Sequence, residues 1–345
     1  MTFEFGIFDS FDLGDSTPGQ IIASRLDFAV AAEAAGISHY HVTEHHGTPL
    51  SVCPSPALFL AALSQRTTTL RMGALVFVLP EHEPLRLAEE IAVLDQLTSG
   101  RLDVGVGSGV SPYELAYFGV DASEARDRYA ETLAVVLQAL ETGRMTHRGK
   151  LLRDYDVELS VGPVQRPHPP LWYASSNTSS ADWAAASDVN FVGRWNGGTF
   201  AAAAESYWRT WRESHQEDDA ARPRVGVAAN VYIGSSDAAA VARYRQASDV
   251  HFRQLLKLWH QHDNHHFDFM ADVDAGLARG TALAGTAETV RDLLVDQVRQ
   301  APVNYFEATL AFGDLTPAEA RDSLAAFAQT VTPAVRDAAA SRDPA

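Results

Sequence analysis

Residues 73–120 constrain the fold more than any other part of the chain, because they contain almost two complete strand–helix units. The stretch 73–79 is an apolar run that Pro80 ends, and residues 88–97 carry apolar side chains at helical spacing. A Ser-Gly pair ends that helix, and the next apolar run covers residues 102–106. A helix between two short apolar runs predicts a crossover connection between parallel strands.

A glycine-rich sequence follows the second of these runs. Gly105, Gly107 and Gly109 alternate where the strand ends, so the backbone there can approach another group closely. The spacing differs from the GxGxxG of dinucleotide-binding loops, and no acidic residue completes that motif. A turn that lets a flat ring lie on the backbone explains the pattern equally well.

The same alternation runs along the whole chain in about eight units. Strands are predicted at residues 3–9, 39–43, 70–79, 102–106, 171–174, 191–192, 224–233 and 303–310. Helices are predicted at residues 18–35, 56–66, 88–97, 123–141, 179–187, 200–215, from 236 onward and 317–330. Eight alternations in 345 residues favour an α/β fold of the (β/α)8 TIM-barrel type, with a doubly wound open sheet as the second candidate.

The chain shows no change of composition that would mark a linker between domains. We therefore predict one barrel domain over residues 1–335 and a frayed tail over residues 336–345. Residues 145–170 predict a hairpin or excursion. Residues 255–285 are rich in His and Asp and predict an insertion over the barrel mouth, at the C-terminal face.

Composition excludes several classes of function. The net charge of −17 disfavours binding to a nucleic-acid backbone, because the whole molecule repels phosphate. The single cysteine, Cys53, excludes an intramolecular disulfide and a cysteine-based metal cluster. No apolar run reaches 18 residues and the first residues do not resemble a signal peptide, so we expect a cytoplasmic protein that does not enter membranes.

The second predicted strand is the richest in titratable groups at its C-terminal end, where barrel enzymes carry their active sites. His39 and His41 share one face of this strand and are interpreted as packing or polar barrel residues. Glu44 and His45 follow at the exit, where His45 can act near a substrate while Glu44 orients it or a neighbour. A metal site is a weaker interpretation, because no second motif with ligand spacing is apparent.

Two further segments carry polar residues that could bind a ligand. Residues 175–180 read Ser-Ser-Asn-Thr-Ser-Ser between a strand and a helix, so they can cap the helix or form an anion site at its N-terminus. Arg126 can add a positive charge there or lie on the surface. Residues 260–268, with four His and two Asp, predict a polar loop, with a substrate lid or a metal site as alternatives.

With these residues assembled, the chain resembles the bacterial luciferase-like monooxygenases, which are flavin-dependent (β/α)8 barrels. The resemblance covers nearly the whole chain and is weakest at residues 200–280. Its most specific part lies within residues 71–121, which contain LPEHEPLRLAEEIAVLDQLTSGRLDVGVGSG. The other matching segments are AEAAGISHYHVTEHH at 32–46, PLWYASSNTSSADWAA at 170–185, GTAETVRDLL at 285–294 and FGDLTPAEARDSLAAFAQTVTPAV at 312–335.

The resemblance implies an activity, a cofactor and partners. Reduced FMN would bind at the barrel mouth as a diffusible co-substrate delivered by a separate flavin reductase. It would react with O2 at flavin C4a, and the resulting peroxide would oxidise a small organic substrate such as an aldehyde. The family also implies a homodimer, in which the apolar faces of residues 56–63 and 87–97 can pair or simply cover the barrel.

The resemblance also implies roles for individual residues, and no metal ligand. His45 is implied as the catalytic histidine, supported by Glu44, and a non-proline cis peptide is implied at Leu75-Val76. The luciferase α subunit has Cys-Arg where this chain has Gly107-Ser108, which predicts weaker retention of FMN and disfavours light emission. The implied cofactor-binding residues are Leu75, Val76, Gly107, Ser108, Arg126, Ser175, Ser176, Asn177 and Ser180.

Three alternatives to the monooxygenase stay open at this point. The first is a deazaflavin-dependent oxidoreductase of the same superfamily, which transfers hydride and does not use O2. The second is a catalytically silent flavin-binding protein. The third is a barrel hydrolase that uses His and Asp with a metal ion and no flavin, and the absence of an evident ligand constellation disfavours it.

Overall fold

The computed structural model describes residues 3–215 and 222–341. Over these residues the chain forms eleven β-strands in chain order. The strands are β1 (Glu4–Asp9), β2 (His39–Val42), β3 (Arg71–Val78), β4 (Leu102–Gly107), β5 (Arg144–His147), β6 (Tyr155–Glu158), β7 (Leu171–Ala174), β8 (Asn190–Arg194), β9 (Val225–Ile233), β10 (Ala282–Gly285) and β11 (Tyr305–Thr309).

Helices separate most of these strands. Several begin at a side chain that accepts a hydrogen bond from the first turn, as Thr17 does at the start of the first helix and Thr316 near the end of the chain. The helices are α1 (Pro18–Ala34), α2 (Pro56–Ser64), α3 (Pro84–Thr98), α4 (Pro112–Tyr117), α5 (Ala125–Thr142), α6 (Thr178–Ala186), α7 (Gly198–Ser214), α8 (Asp237–Leu255), α9 (Lys257–Gln261), α10 (Val273–Arg279), α11 (Ala287–Gln300), α12 (Pro317–Ala326) and α13 (Thr332–Ala340).

Eight parallel strands close into a barrel. Their order is β1-β2-β3-β4-β7-β8-β9-β11, and β11 pairs with β1 to complete the circle. The predicted (β/α)8 barrel is therefore confirmed, and the open doubly wound sheet is wrong. None of the described helices is long and apolar enough to cross a membrane.

Side chains alternate between the barrel interior and the layer beneath the helices. Leu75, Trp172, Val192 and Tyr305 pack together inside the barrel. Residues of the opposite parity, such as Phe191, pack against the surrounding helices. The inward positions at the C-terminal ends of the strands therefore form the mouth, which places the candidate site.

The segments predicted to be irregular contain more structure than the sequence indicated. Residues 145–170 include the predicted hairpin, in which β5 and β6 pair antiparallel. Residues 255–285 form α9, α10 and β10, and Ala282 of β10 lies opposite Asn230 of β9. The sequence did not reveal β10 because its four small residues, Ala-Leu-Ala-Gly, read as part of a loop.

The tail predicted to fray after residue 335 is helical through Ala340. Val335 is fully buried in the core, and Arg336 donates from Nε to the Phe3 carbonyl oxygen at 3.3 Å. The Arg336 guanidinium also lies 5.3 Å from the centre of the Phe5 ring. These contacts hold the last helix on the barrel, while residues 342–345 lie outside the described part.

Candidate active site

A cavity of ≈ 290 Å³ opens at the C-terminal ends of β1, β2, β3, β4 and β7. This volume is at the lower end of the range for small-molecule sites. The cavity is lined by Phe8, Thr43, Glu44, His45, Leu75, Val76, Val78, Glu81, Val106, Gly107, Ser108, Gly109, Val110, Ser111, Glu114, Tyr173 and Ala174.

One wall of the cavity consists of the β3 and β4 backbones in close contact. The Leu75-Val76 peptide is cis, at the position that the resemblance implied. A Cβ atom added at Gly107 would lie 2.5 Å from Val76 Cγ2, which is closer than side-chain atoms approach. A side chain at Gly107 would therefore have to displace the Val76 side chain, and the structure brings Leu75, Val76, Gly107 and Ser108 together on one cavity.

His45 lies in the cavity wall with one ring nitrogen engaged. Its Nδ1 lies 3.2 Å from Oε2 of Glu114, and the His46 backbone N–H donates to the same oxygen at 2.7 Å. Burial raises the pKa of Glu114, but the hydrogen bond and positive charge of His45 and the His46 N–H lower it below its usual range. An ionised Glu114 fixes Nδ1 of His45 as the donor, which leaves Nε2 for a ligand.

Sequence reasoning missed Glu114 as a functional residue. Ser111 and Glu114 have the Ser-x-x-Glu spacing of a capping box, which assigns the glutamate to the helix start. Ser111 does accept from the Glu114 backbone N–H at 3.2 Å. The Glu114 carboxylate, however, turns to the two histidines instead of closing the box.

Glu44 lines the cavity but contacts histidines other than His45. It accepts from the Val78 N–H at 2.6 Å and lies 2.9 Å from Nε2 of His82. Burial raises its pKa, but the hydrogen bonds from His46, His82 and Val78 outweigh burial and lower the pKa to about 2. Glu44 therefore ties β2 to the end of β3, and the structure does not bring it to the His45 ring.

Glu81 is a second residue that sequence reasoning missed. Its side chain is 3% exposed and lines the cavity, with Oε2 3.6 Å from His46 Nε2 and without a hydrogen-bond partner among the described residues. Burial raises its pKa to about 7, although His46 opposes the shift. A glutamate that exchanges a proton near neutral pH thus faces the cavity. In the sequence, its position directly after the Leu-Pro that ends the strand was the one feature that could have indicated a place at the barrel mouth.

The hydroxyl-rich segment lies at the N-terminus of α6, beside Ala174 of the cavity. Asn177 caps this helix by accepting from the Ser180 N–H at 2.8 Å, and it donates from Nδ2 to Ser175 Oγ at 3.0 Å. Ser176 donates to the Arg194 carbonyl oxygen at 3.3 Å. The capping that the sequence predicts is therefore present, and the helix N-terminus adds a partial positive charge.

Arg126 does not line the cavity, and neither do the predicted site residues Ser175, Ser176, Asn177 and Ser180. Arg126 lies in the first turn of α5 and is exposed. Its neighbour Ala125 packs with Val78 and Leu115 behind the cavity wall. Arg126 is thus near the rim, where its long side chain remains free to turn.

The histidines of β2 lie deeper in the barrel. His39 and His41 are buried, and His41 Nδ1 lies 2.5 Å from Oε1 of Glu307. Burial lowers the pKa of His41, but Glu307 and Asp103 raise it to about 9. These residues form the polar barrel interior that the sequence predicts for His39 and His41.

The His-rich segment after α8 forms an exposed cluster. His260 Nε2 and His265 Nδ1 lie 2.6 Å and 2.8 Å from the two Asp268 oxygens. The ligand atoms of these three residues lie within 4.8 Å of one another, and all three are exposed. The arrangement is that of surface ion pairs between histidines and one carboxylate.

A family profile described as luciferase-like monooxygenase matches residues 3–305. The chain belongs to this family. An uncharacterised protein of Sinorhizobium fredii is 34% identical over 315 residues, which are 90% of this chain and 91% of that protein. The oxygenase component of flavin-dependent trigonelline monooxygenase from Acinetobacter baylyi is 28% identical over 176 residues, about half of each chain.

Solved structures show the same luciferase-like architecture. Monooxygenase RslO1 from Streptomyces bottropensis superimposes with a TM-score of 0.83 at 24% identity, covering 96% of this chain and 99% of that one. The oxygenating constituent of 3,6-diketocamphane monooxygenase from Pseudomonas putida, in complex with FMN, gives 0.78 at 20% identity over 96% and 99%. At these identities the structures establish the fold, and the family makes this luciferase-like chain a flavin-dependent oxidoreductase.

Proposed function

We propose that the protein is a monooxygenase that binds reduced FMN in the ≈ 290 Å³ cavity and uses O2 to oxidise a small organic substrate such as an aldehyde. The observation that carries this proposal is His45, whose Nδ1 is held by Glu114 while its ring lines the cavity. A partly buried imidazole with one nitrogen held in place, lining a cavity of ≈ 290 Å³, is suited to moving protons during oxygen chemistry.

The residues around the cavity fit FMN. Gly107, which has no side chain, lies against the Val76 side chain, and with Leu75 these residues form the wall against which a flat ring can lie. The α6 N-terminus with Ser175, Ser176, Asn177 and Ser180 is suited to the phosphate, because hydroxyls and backbone N–H groups converge there. Arg126 can reach that phosphate from the rim, and Ser108 can donate one uncharged hydrogen bond.

Reduced FMN, when bound, supplies the two electrons with which one oxygen atom of O2 enters the substrate and the other leaves as water. His45 accepts a proton at Nε2 and returns it, while Glu114 stabilises the charged ring. Glu44 acts at a distance, because it holds the Val78 N–H and His82 and thereby the end of β3. Phe8, Val106 and Val110 keep the cavity apolar and limit the access of water.

A separate flavin reductase and a second copy of the chain are the proposed partners. The reductase is supported by the relative named as an oxygenase component. The homodimer is supported by Leu58 of α2 and by Val93 and Leu97 of α3, which are 73%, 45% and 42% exposed. Leu58→Asp should convert a dimer into a monomer in light-scattering measurements, while an unchanged mass would contradict this interface.

The function is tested by anaerobic titration with reduced FMN and, separately, with a reduced deazaflavin, followed by isotope-labelled O2 and a panel of aldehydes. Saturable binding of reduced FMN and one labelled oxygen atom per product molecule are expected. Binding of the deazaflavin alone would instead assign the protein to hydride transfer. His45→Ala should retain FMN binding and lose product formation, and His266→Ala, an exposed histidine far along the chain, serves as its control.

A further inference from the structure

Arg194 and Asn230 lie on the inward face of the barrel, at the mouth beside the FMN cavity. On β8, Val192 packs inside the barrel with Leu75 and Trp172, so the side chain of Arg194, two residues later, also points inward. On β9, Ala228 packs with the same interior cluster, and Asn230 is the next inward residue. The two side chains meet where Arg194 Nη2 lies 3.4 Å from Asn230 Oδ1.

Arg194 has no acidic partner among the described residues. Two partly buried arginines at the barrel pair with carboxylates, Arg71 with Asp103 at 2.7 Å and Arg224 with Glu4 at 2.9 Å. Arg101 has no carboxylate partner, but it donates to four oxygen atoms at 2.8–3.2 Å, which are closer than the acceptors of Arg194. Among the described residues no carboxylate oxygen lies within 4.0 Å of the Arg194 guanidinium. Its acceptors are the neutral Asn230 Oδ1 and the Thr281 carbonyl oxygen, at 3.4–3.5 Å. Burial lowers its pKa, so an anion would stabilise the charged form.

Asn230 supplies an independent observation at the same place. Its side chain is 2% exposed, and its Nδ2 donor has no hydrogen-bond partner among the described residues. Buried N–H donors in folded proteins are nearly always satisfied, because an unpaired one is costly. The site therefore combines a charged donor, Arg194, whose acceptors are neutral, with a neutral donor, Asn230 Nδ2, that lacks an acceptor in the described structure. Such a pair is suited to a ligand that only accepts hydrogen bonds, such as a carboxylate.

We propose that Arg194 and Asn230 bind a carboxylate group of the substrate, so that the substrate is a small organic acid. This inference rests on the proposed monooxygenase function for its chemistry. The site adjoins the FMN cavity, because Ala174 of the cavity lining lies opposite Val192, two residues before Arg194. A carboxylate held there places the rest of the substrate over the cavity.

The FMN phosphate is a different anion, with a different place in the structure. The Arg194 main chain faces the hydroxyl-rich segment, residues 175–180, that is proposed to hold the phosphate, since the Arg194 carbonyl oxygen accepts from Ser176 Oγ. Its side chain turns away from that segment, toward Asn230 and Thr281. The guanidinium therefore faces the half of the mouth formed by β9 and β10.

The test uses carbon-13-labelled acetate as the probe, titrated into the full-length protein at constant ionic strength and followed by NMR. Acetate is the smallest carboxylate that a guanidinium can bind through two hydrogen bonds. We expect saturable binding to the wild type, and binding about tenfold weaker or more in Arg194→Gln. The affinity of Arg194→Lys for acetate should lie between those of the wild type and Arg194→Gln, since lysine keeps the positive charge but lacks the two parallel N–H donors of a guanidinium. Acetamide is the uncharged analogue of acetate. It should bind to the wild type no more tightly than acetate binds to Arg194→Gln.

The controls separate this inference from the proposed function. Arg279→Gln removes an exposed charge near Thr281 and should leave acetate binding unchanged. Affinity for reduced FMN should stay within about threefold in Arg194→Gln. Equal acetate binding by wild type and Arg194→Gln would overturn the inference, and so would a tenfold loss of FMN affinity, which would assign Arg194 to the phosphate. Arg194-dependent acetate binding by a protein that does not bind FMN would support this site and contradict only the proposed function.

Discussion

The two halves of the barrel mouth differ in how their charged groups are satisfied. Over β2 and β3, carboxylates lie against histidines, as in Glu114 with His45 and Glu44 with His82, and Glu81 Oε2 is the exception without a hydrogen-bond partner. Over β8 and β9, within the described part of the chain, Arg194 has no acidic partner and Asn230 Nδ2 has no acceptor. Groups that act on a proton must be prearranged, whereas groups that bind a ligand are completed by it. The first half is therefore suited to the reaction and the second to recognition of the substrate.

The largest effect on the reacting half is expected from His45→Ala. Loss of a positioned acid–base group lowers turnover by about 10²–10⁴-fold. Affinity for reduced FMN should change by less than about threefold, because His45 touches the cavity at one edge only. The measurements are product formation and equilibrium FMN titration, with His266→Ala as control. Equal turnover in the two variants would remove His45 from the mechanism and break the contrast between the halves.

The next largest effect concerns Glu81 and the dependence of stability on pH. Its pKa rises from 4.5 in the unfolded chain to about 7 in the fold, so the folded state keeps a proton that the unfolded state loses between these values. The contribution of Glu81 to wild-type stability should therefore fall, by up to about 3 kcal/mol, as pH rises from below 4.5 through 7.

Glu81→Gln removes this dependence, so the variant should gain stability relative to the wild type at pH 8 and not at pH 4. Urea unfolding at both pH values measures the difference. Glu89→Gln, at an exposed position on α3, is the control. A constant difference between Glu81→Gln and the wild type across this range would show that Glu81 does not hold a proton in the fold.

A smaller effect is expected when Glu114 loses its charge. Glu114→Gln keeps the shape of the side chain but no longer stabilises a protonated His45, so turnover should fall about tenfold. Glu131→Gln is a matched control, because Glu131 lies 2.6 Å from His147 away from the cavity. Product formation measures the difference, and equal turnover in Glu114→Gln and the wild type would separate the two residues.

The smallest effect is expected from Gly107→Ala. The added methyl group would meet Val76 Cγ2, and an overpacking cost of about 1 kcal/mol corresponds to about fivefold weaker FMN binding. Gly19→Ala is the control, because a Cβ there meets nothing within 4 Å. Adding Val76→Ala should restore affinity to Gly107→Ala. If FMN affinity is unchanged in Gly107→Ala, the cofactor does not lie on this wall.

The sequence predicted the barrel because each strand–helix unit can be recognised from local features, namely apolar runs and turn residues such as Pro80 and Gly143. The resemblance to the family placed the cis peptide at Leu75-Val76, where the structure has it, and a separate matching segment made His45 a candidate that is still to be tested. The sequence could not predict the partner of His45, since the contact with Glu114 joins residues 69 positions apart. The role of Arg194 was equally out of reach, because the sequence does not show whether an arginine lies beside a carboxylate or, as here, beside the neutral oxygens of Asn230 and Thr281.

The short strand β10 has a consequence for how this protein can diversify. Ala282 is fixed opposite Asn230 by main-chain pairing, and Thr281 just before it supplies a carbonyl oxygen to Arg194. Residues 257–280 therefore leave the barrel and return to an anchored point. Insertions and deletions in that excursion can reshape the volume above the mouth without moving the guanidinium. Variation in the length of this segment can thus alter which acids bind, while Arg194 and Asn230, which are proposed to bind the carboxylate, keep their positions.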